Sequence, residues 1–443
     1  MCWRGGMRDS RPTSPCSSRD GSCEEGPMRL ERPRQAEIIA VGSELLTPFR
    51  VDTNSLWLTE RLNALGIEVV VKTIVGDDEA LLERLVREAL ARSEILILTG
   101  GLGPTEDDVT RKALARALGR GLMLDEQVLE RIRARFASRG LVMPKINERQ
   151  ALVLEGAIVL ENRHGTAPGM FLEHQGRVLV ALPGPPSEMQ AMFESEVAPL
   201  LEPLAGGLKI GRRTLRVAGM SESAVDHAIA PIYTQYANPR TTILATTTGI
   251  EIHLTAVGTT EEEIEARLDE LSDRIERELG ARVFTTRGES LEEVIRRLCL
   301  IKRYTIAVAE SVTGGLLAKR LTDVPGSSCY FRGGVIAYSD EAKTTLLGVP
   351  ADQLAAHGAV SAEVAEAMAQ RVKAQFATTM GLAVTGLAGP EGGTPEKPVG
   401  LVFIALADDV HVESHRHWFP GDRARIRELA AQAALALLYE RLL

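Results

Sequence analysis

Apolar runs and helical periods alternate along most of this 443-residue chain. Glu37–Val41 reads as a strand. Asn54–Leu65 carries Leu56, Leu58, Leu62 and Leu65 near the helical period, with Gly66 as the stop. Glu68–Val75 then reads as a strand, Glu79–Ala91 as a helix and Glu94–Leu98 as a strand. Such alternation implies an α/β unit with a parallel sheet covered on both faces. Ligands of these sheets bind beyond the carboxyl ends of the strands.

The pattern changes over residues 206–287. Arg213–Val217 and Gly249–Val257 read as strands, the second with Ile250, Ile252, Leu254 and Ala256 on one face; Ser221–Ile229 and Glu262–Leu279 read as helices. This predicts a small α+β unit, joined through Arg287-Gly288-Glu289-Ser290 to a last α/β domain over 288–443. There Leu291–Leu300 is the first helix, Thr305–Ala309 a strand, Leu316–Leu321 a helix and Val335–Ser339 a second strand. Ala362–Phe376 follows as a helix, Leu382–Val384, Val399–Leu406 and His411–Phe419 as strands, and Arg423–Leu442 as a closing helix. Residues 1–35 show no hydrophobic period and are rich in Ser, Pro, Arg and Gly, which predicts a disordered tail. Met28, just before the first strand, is a candidate start.

Composition narrows the function classes. A formal net charge of −9 and 4% aromatic residues argue against a nucleic-acid binder. No apolar run approaches the length of a membrane span. The five cysteines, Cys2, Cys16, Cys23, Cys299 and Cys329, have neither zinc-ligand spacing nor the density of a disulfide framework, so a cytoplasmic setting is expected.

Two stretches carry candidate chemistry. In the last domain Ser311 sits on a strand-to-helix turn, Ser311-Val312-Thr313-Gly314-Gly315, where backbone rigidity and the helix dipole suit a nucleophile or an anion-binding donor. No histidine lies between Ser311 and Lys343, so a desolvated Lys343 near Tyr338 is the available base. The bland alternative is a helix-capping serine and an exposed lysine. Downstream, Thr385–Thr394 contains Gly386, Gly389, Gly392 and Gly393, more glycine than packing alone asks for, and Phe419–Arg423 follows. In the first domain Gly42-Ser43-Glu44 follows the first strand, and Gly100, Gly101, Gly103 and Thr105 lead into Asp107 and Asp108 after the third. That loop reads either as a phosphate cradle with Asp107 or Asp108 on a divalent metal, or as a turn whose acids complement the dipole of the next helix.

Taken together, Ser311–Gly315, Tyr338 with Lys343, the Gly386–Gly400 loop and Phe419–Arg423 resemble the C-terminal domain of the CinA (competence/damage-inducible protein) family. Gly100–Thr110, Asn162–Gly169 and Leu182–Met189 resemble the N-terminal domain of the same family, over residues 36–205. The resemblance implies a molybdopterin-binding-like first domain, a KH-like connector over 206–287 and a nicotinamide mononucleotide deamidase domain at the end. It assigns Ser311 as nucleophile, Lys343 as base and Tyr338 as a supporting hydroxyl. Thr313 and the glycines of both loops become substrate contacts, and Arg423 fits the substrate phosphate. Backbone N–H groups near Gly314 and Gly315 would hold the oxyanion.

For the first domain the resemblance implies metal-dependent ADP-ribose pyrophosphatase activity, with a divalent ion such as magnesium on Asp107, Asp108 and Glu44; the deamidase needs no cofactor. Small-molecule nucleotides are then the partners, with no nucleic acid and no membrane. A KH domain that clamps nucleic acid uses a GxxG loop. The connector has none, and from Arg213 to Thr286 it carries 12 acidic against 7 basic residues. It reads as a structural or dimerisation element, and a homodimer is expected. Two alternatives stand: a non-catalytic first domain that binds a pterin or nucleotide and regulates the deamidase, and an interaction protein of competence or DNA damage.

Overall fold

The computed structural model describes residues 32–443. The expected tail and Met28 lie outside the described residues, apart from residues 32–35. The first strand, β1 (Gln35–Val41), begins inside that predicted tail, because Gln35 is drawn into the sheet. It pairs with Glu68, and its N–H donates to Glu94 Oε2 at 2.8 Å.

The first unit continues through α1 (Thr53–Ala64), β2 (Glu68–Val75), α2 (Glu79–Arg92), β3 (Ile95–Thr99) and α3 (Thr110–Leu118). A short hairpin-like pair, β4 (Leu122–Leu124) and β5 (Leu152–Leu154), brackets α4 (Glu126–Ser138). The chain then forms β6 (Ile158–Leu160), β7 (Gly169–His174), β8 (Arg177–Leu182), α5 (Pro186–Met192) and α6 (Ala198–Leu201). The sheet order is β2-β1-β3-β8-β7-β6; the first four strands are parallel, and β7 and β6 run antiparallel at the edge. Alternate residues face two separate cores, with Ile39, Val41, Leu96 and Leu98 on one side and Ile38, Ile95 and Ile97 on the other. Burial on both faces is why these strands read as unbroken apolar runs. In α1, Leu58 and Leu62 are fully buried, but Leu56, counted on the same face, is exposed.

The second unit is a four-stranded antiparallel sheet of β9 (Lys209–Val217), β10 (Arg240–Thr246), β11 (Gly249–Gly258) and β12 (Val283–Thr285), in the order β10-β11-β9-β12. Helices α7 (Glu222–Tyr233) and α8 (Glu261–Leu279) cover one face. The predicted alternation holds, with Ile250, Ile252, Leu254 and Ala256 all buried.

The last unit runs α9 (Leu291–Lys302), β13 (Ile306–Glu310), α10 (Leu316–Asp323), β14 (Phe331–Ile336), α11 (Asp340–Thr345), α12 (Ala351–His357), α13 (Ala362–Phe376), β15 (Met380–Gly386), β16 (Leu401–Ala407), β17 (Val412–Trp418) and α14 (Arg423–Leu442). The sheet order is β14-β13-β15-β16-β17, with β14, β13 and β15 parallel and the last two strands antiparallel. Helices α9 and α14 pack on one face and α13 on the other. The second strand lies upstream of the expected Val335–Ser339. Gly334 is inside it because a Cβ there would lie 2.5 Å from Val308 Cγ2 of the neighbouring strand. In the sequence the glycine pair hid the strand. Among the described residues no helix is long and apolar enough to cross a membrane.

Candidate functional site

The carboxyl ends of the parallel strands gather the chemistry of the last unit. Ser311 follows β13 directly, and its N–H donates to Val384 O of β15 at 2.9 Å. After β14 the chain turns at Ala337 into α11, where the Ser339 hydroxyl accepts from Ala342 N–H and caps the helix. The helix aims Lys343 back under the sheet edge. Lys343 Nζ lies 3.2 Å from Ser311 Oγ and 3.2 Å from Ala337 O, and Lys343 is 1% exposed. Burial pushes its pKa below that of an exposed lysine, with Asp340 opposing weakly from 4.0 Å. A fully exposed lysine, the bland alternative, is therefore overturned. Tyr338 is elsewhere: it lies past β14, is 57% exposed, and its hydroxyl accepts from Arg423 Nη2. The structure does not join it to the Ser311–Lys343 pair.

The amides of the glycine pair are both engaged within the chain. Gly315 N–H donates to Glu310 Oε2 at 2.8 Å, and Gly314 N–H donates to Ser311 O at 3.1 Å. Glu310 is fully buried and also accepts from Leu317 N–H at 3.1 Å and Ala318 N–H at 2.7 Å. A carboxylate from the chain itself thus occupies the amino end of α10. Sequence reasoning passed over Glu310; the available signal was an acid closing an apolar strand just before the glycines. It also passed over Arg427, one helical turn beyond Arg423, whose Nη2 donates to Thr313 O at 2.8 Å. Thr313 is fully buried, and among the described residues its Oγ1 has no hydrogen-bond partner.

Arg423, the first residue of α14, donates from Nη1 to Gly389 O at 3.0 Å. It ties the loop after β15, which carries Gly389, Gly392 and Gly393, to Tyr338; Gly386 closes the strand itself. Gly389, at a φ of +69°, admits no side chain, since a Cβ there would lie 2.6 Å from Val399 Cγ1. At this position the glycine answers a packing requirement, contrary to the sequence reading.

A second site lies at the carboxyl ends of β1, β3 and β8. A cavity of about 290 Å³ is lined there by Glu44, Asp77, Gly100, Gly101, Gly103, Asp107, Asp108 and Glu188, among others. Asp107 and Asp108 are not in a helical turn, since α3 starts at Thr110. Asp108 accepts from Gly103 N–H at 2.7 Å, Thr105 N–H at 2.8 Å and Thr105 Oγ1 at 2.5 Å. Both its oxygens organise the glycine loop, and Thr105 is bound up in the same turn. Glu188 Oε2 accepts from Asn162 Nδ2 at 2.7 Å. Glu44 folds back over Gly42, where a Cβ would lie 2.6 Å from its Oε2, and Asp107 is exposed. Among the described residues no three His, Cys, Asp or Glu side chains converge as a metal cage. The free donors, Glu44 and Asp107, are oxygen ligands, which fits a hard cation held by one or two carboxylates together with a substrate's phosphates.

Three family models match in order: a probable molybdopterin-binding domain over 37–203, the damage-inducible protein CinA KH domain over 212–285, and the CinA C-terminal domain over 288–442. A CinA-like protein of Koribacter versatilis is 48% identical, covering 92% of this chain and 100% of its own. CinA-like proteins of Solibacter usitatus (50% identical, 92% and 98% covered) and Acidobacterium capsulatum (46% identical, 92% and 100% covered) are similar over the same extent. Likeness of this depth, carried through all the matched domains of one chain, means that the protein belongs to the CinA family.

Proposed function

We propose that the last domain hydrolyses the carboxamide of nicotinamide mononucleotide, giving nicotinate mononucleotide and ammonia. The observation that carries this reading is the buried Ser311–Lys343 pair, 3.2 Å apart at the carboxyl ends of parallel strands. A lysine whose charge is disfavoured by burial can take a proton at moderate pH. Ser311 Oγ bonds to the carboxamide carbon as its proton passes to Lys343 Nζ and the carbonyl pair moves onto oxygen. Collapse breaks the C–N bond, and the leaving nitrogen takes the proton back from Lys343 as ammonia. Water repeats the sequence on the acyl-enzyme and releases the carboxylate. Arg423 and Tyr338, joined at the loop after β15, are placed in this reading on the nucleotide's phosphate rather than on the reacting bond.

For the first domain the reading is hydrolysis of ADP-ribose to AMP and ribose 5-phosphate. It is supported by the glycine loop at the strand ends and by the free carboxylates of Glu44 and Asp107 in the same cavity. These two residues would hold a divalent cation, which when bound neutralises pyrophosphate charge. Asp108 fixes the loop on which the phosphates would rest.

The test is to incubate the full chain with each nucleotide, with and without chelator. Ammonia release that survives chelation, with AMP release that does not, supports both assignments. Absence of ammonia release defeats the first, and absence of AMP release at saturating metal leaves the front domain a binding module.

A further inference from the structure

Thr313, two residues beyond the proposed nucleophile, carries a hydroxyl without a partner among the described residues. The residue is fully buried and its Oγ1 makes no hydrogen bond among the described residues. Buried hydroxyls without partners are rare in folded proteins, because their desolvation goes uncompensated. The backbone that bears it is immobilised. Thr313 O accepts from Leu316 N–H at 3.2 Å and from Arg427 Nη2 at 2.8 Å, and Ser311 N–H is held by Val384 O at 2.9 Å. Within this turn Gly314 and Gly315 N–H are occupied, whereas Val312 and Thr313 N–H donate to no acceptor among the described residues. The donors left over are therefore consecutive: two backbone N–H groups and one rotatable hydroxyl, all just past Ser311.

We propose that Thr313 is a catalytic residue, its hydroxyl joining the N–H of Val312 in holding the oxyanion formed when Ser311 attacks its substrate. The proposal rests on the acyl-transfer reading of Ser311 given above. In hydrolases whose serine sits on a strand-to-helix turn, the N–H of the next residue is one oxyanion donor. Here the glycine amides that could have been the second are taken by Glu310 and Ser311, and Thr313 stands in their place. Donors fixed beforehand in a site without water stabilise developing charge with little reorganisation. The hydroxyl keeps its proton throughout: the carbonyl pair moves onto oxygen as Ser311 Oγ bonds to carbon, and it returns when the C–N bond breaks.

Thr313→Val keeps the shape of the side chain and removes the donor; Thr313→Ser keeps the donor. In the full chain with nicotinamide mononucleotide, Thr313→Val should lower kcat about a hundredfold or more, with KM within about twofold. Its Tm should not fall, because the lost hydroxyl had no partner. Thr313→Ser should stay within about fivefold of wild type, the loss expected of a donor kept but less well oriented. Wild-type kcat in Thr313→Val, or equal losses in both variants, overturns the proposal. A lowered Tm in Thr313→Val that accounts for lost activity does the same. If the wild type releases no ammonia, the amidase reading fails, and Thr313 is judged by acylation of Ser311 with a p-nitrophenyl ester, followed by intact mass. Slowing by about a hundredfold in Thr313→Val then supports its role. Equal rates, or no acylation of the wild type, overturn it.

Discussion

At the residue scale the decisive group is Lys343. Its side chain is as buried as a core leucine, and Asp340 at 4.0 Å is the nearest countercharge. The folded pKa lies below the unfolded one, so between those two values the unfolded chain binds more protons and stability rises with pH. Lys343→Met should remove this penalty. We expect a Tm at pH 7 equal to or above wild type, measured by scanning calorimetry, while ammonia release falls about a thousandfold or more. A clear drop in Tm would mean that the lysine is a structural donor to Ala337 O. In the wild type the same depression should place the rising limb of ammonia release against pH below the range of an exposed lysine. A rising limb left in the range of an exposed lysine, or no rising limb at any pH, would remove Lys343 as base.

At the scale of elements, the two sites are organised by carboxylates that cap backbone amides. Glu310 gathers Gly315, Leu317 and Ala318 N–H, so Glu310→Ala strands buried donors and should cost about 3 kcal/mol or more, read as loss of the last unit's cooperative melt. A variant melting within about a degree of wild type would contradict that role, given the several degrees such a loss implies. In the first unit, Asp108→Asn gives up part of a three-donor arrangement around Gly103 and Thr105. It should weaken hydrogen-exchange protection over residues 100–109 by about 1–2 kcal/mol. Asp107→Asn should leave that protection intact and lower AMP release with saturating divalent ion about tenfold or more. The opposite pattern would exchange the two roles.

At the scale of the molecule the sites belong to separate sheets, joined by the antiparallel unit. Contacts do cross between units: Gln432 Nε2 donates to Thr248 O at 2.6 Å and Tyr439 Oη to Ala281 O at 2.7 Å. These fasten α14 to the connector and do not reach the glycine-loop cavity, so Ser311→Ala should leave ADP-ribose turnover within about twofold of wild type. Assaying ammonia and AMP from one preparation checks this. Joint loss would indicate coupled sites or misfolding.

Much of the fold was legible because both outer sheets are buried on two faces and the connector on one. That difference writes itself into the chain as continuous apolar runs in the first case and as the alternation from Ile250 to Ala256 in the second. The pairing of Ser311 with Lys343 in space was also legible, since a serine at a strand-to-helix turn and a lone base downstream form a pattern of residue types. What the sequence could not disclose was which polar group satisfies which. Glu310 and Asp108 look alike in composition, an acid beside glycines, yet one is fully buried and the other half-buried, and each proves to be a cap. Gly314 and Gly315 have the right type for oxyanion donors, but their amides are occupied, and Thr313 is left with a free hydroxyl. Periodicity and turn chemistry are local, so the chain itself determined the elements and their order. Hydrogen-bond partnership depends on groups distant in sequence that meet only when strands and helices pack, so the tertiary structure alone decided which donors remain free to do chemistry.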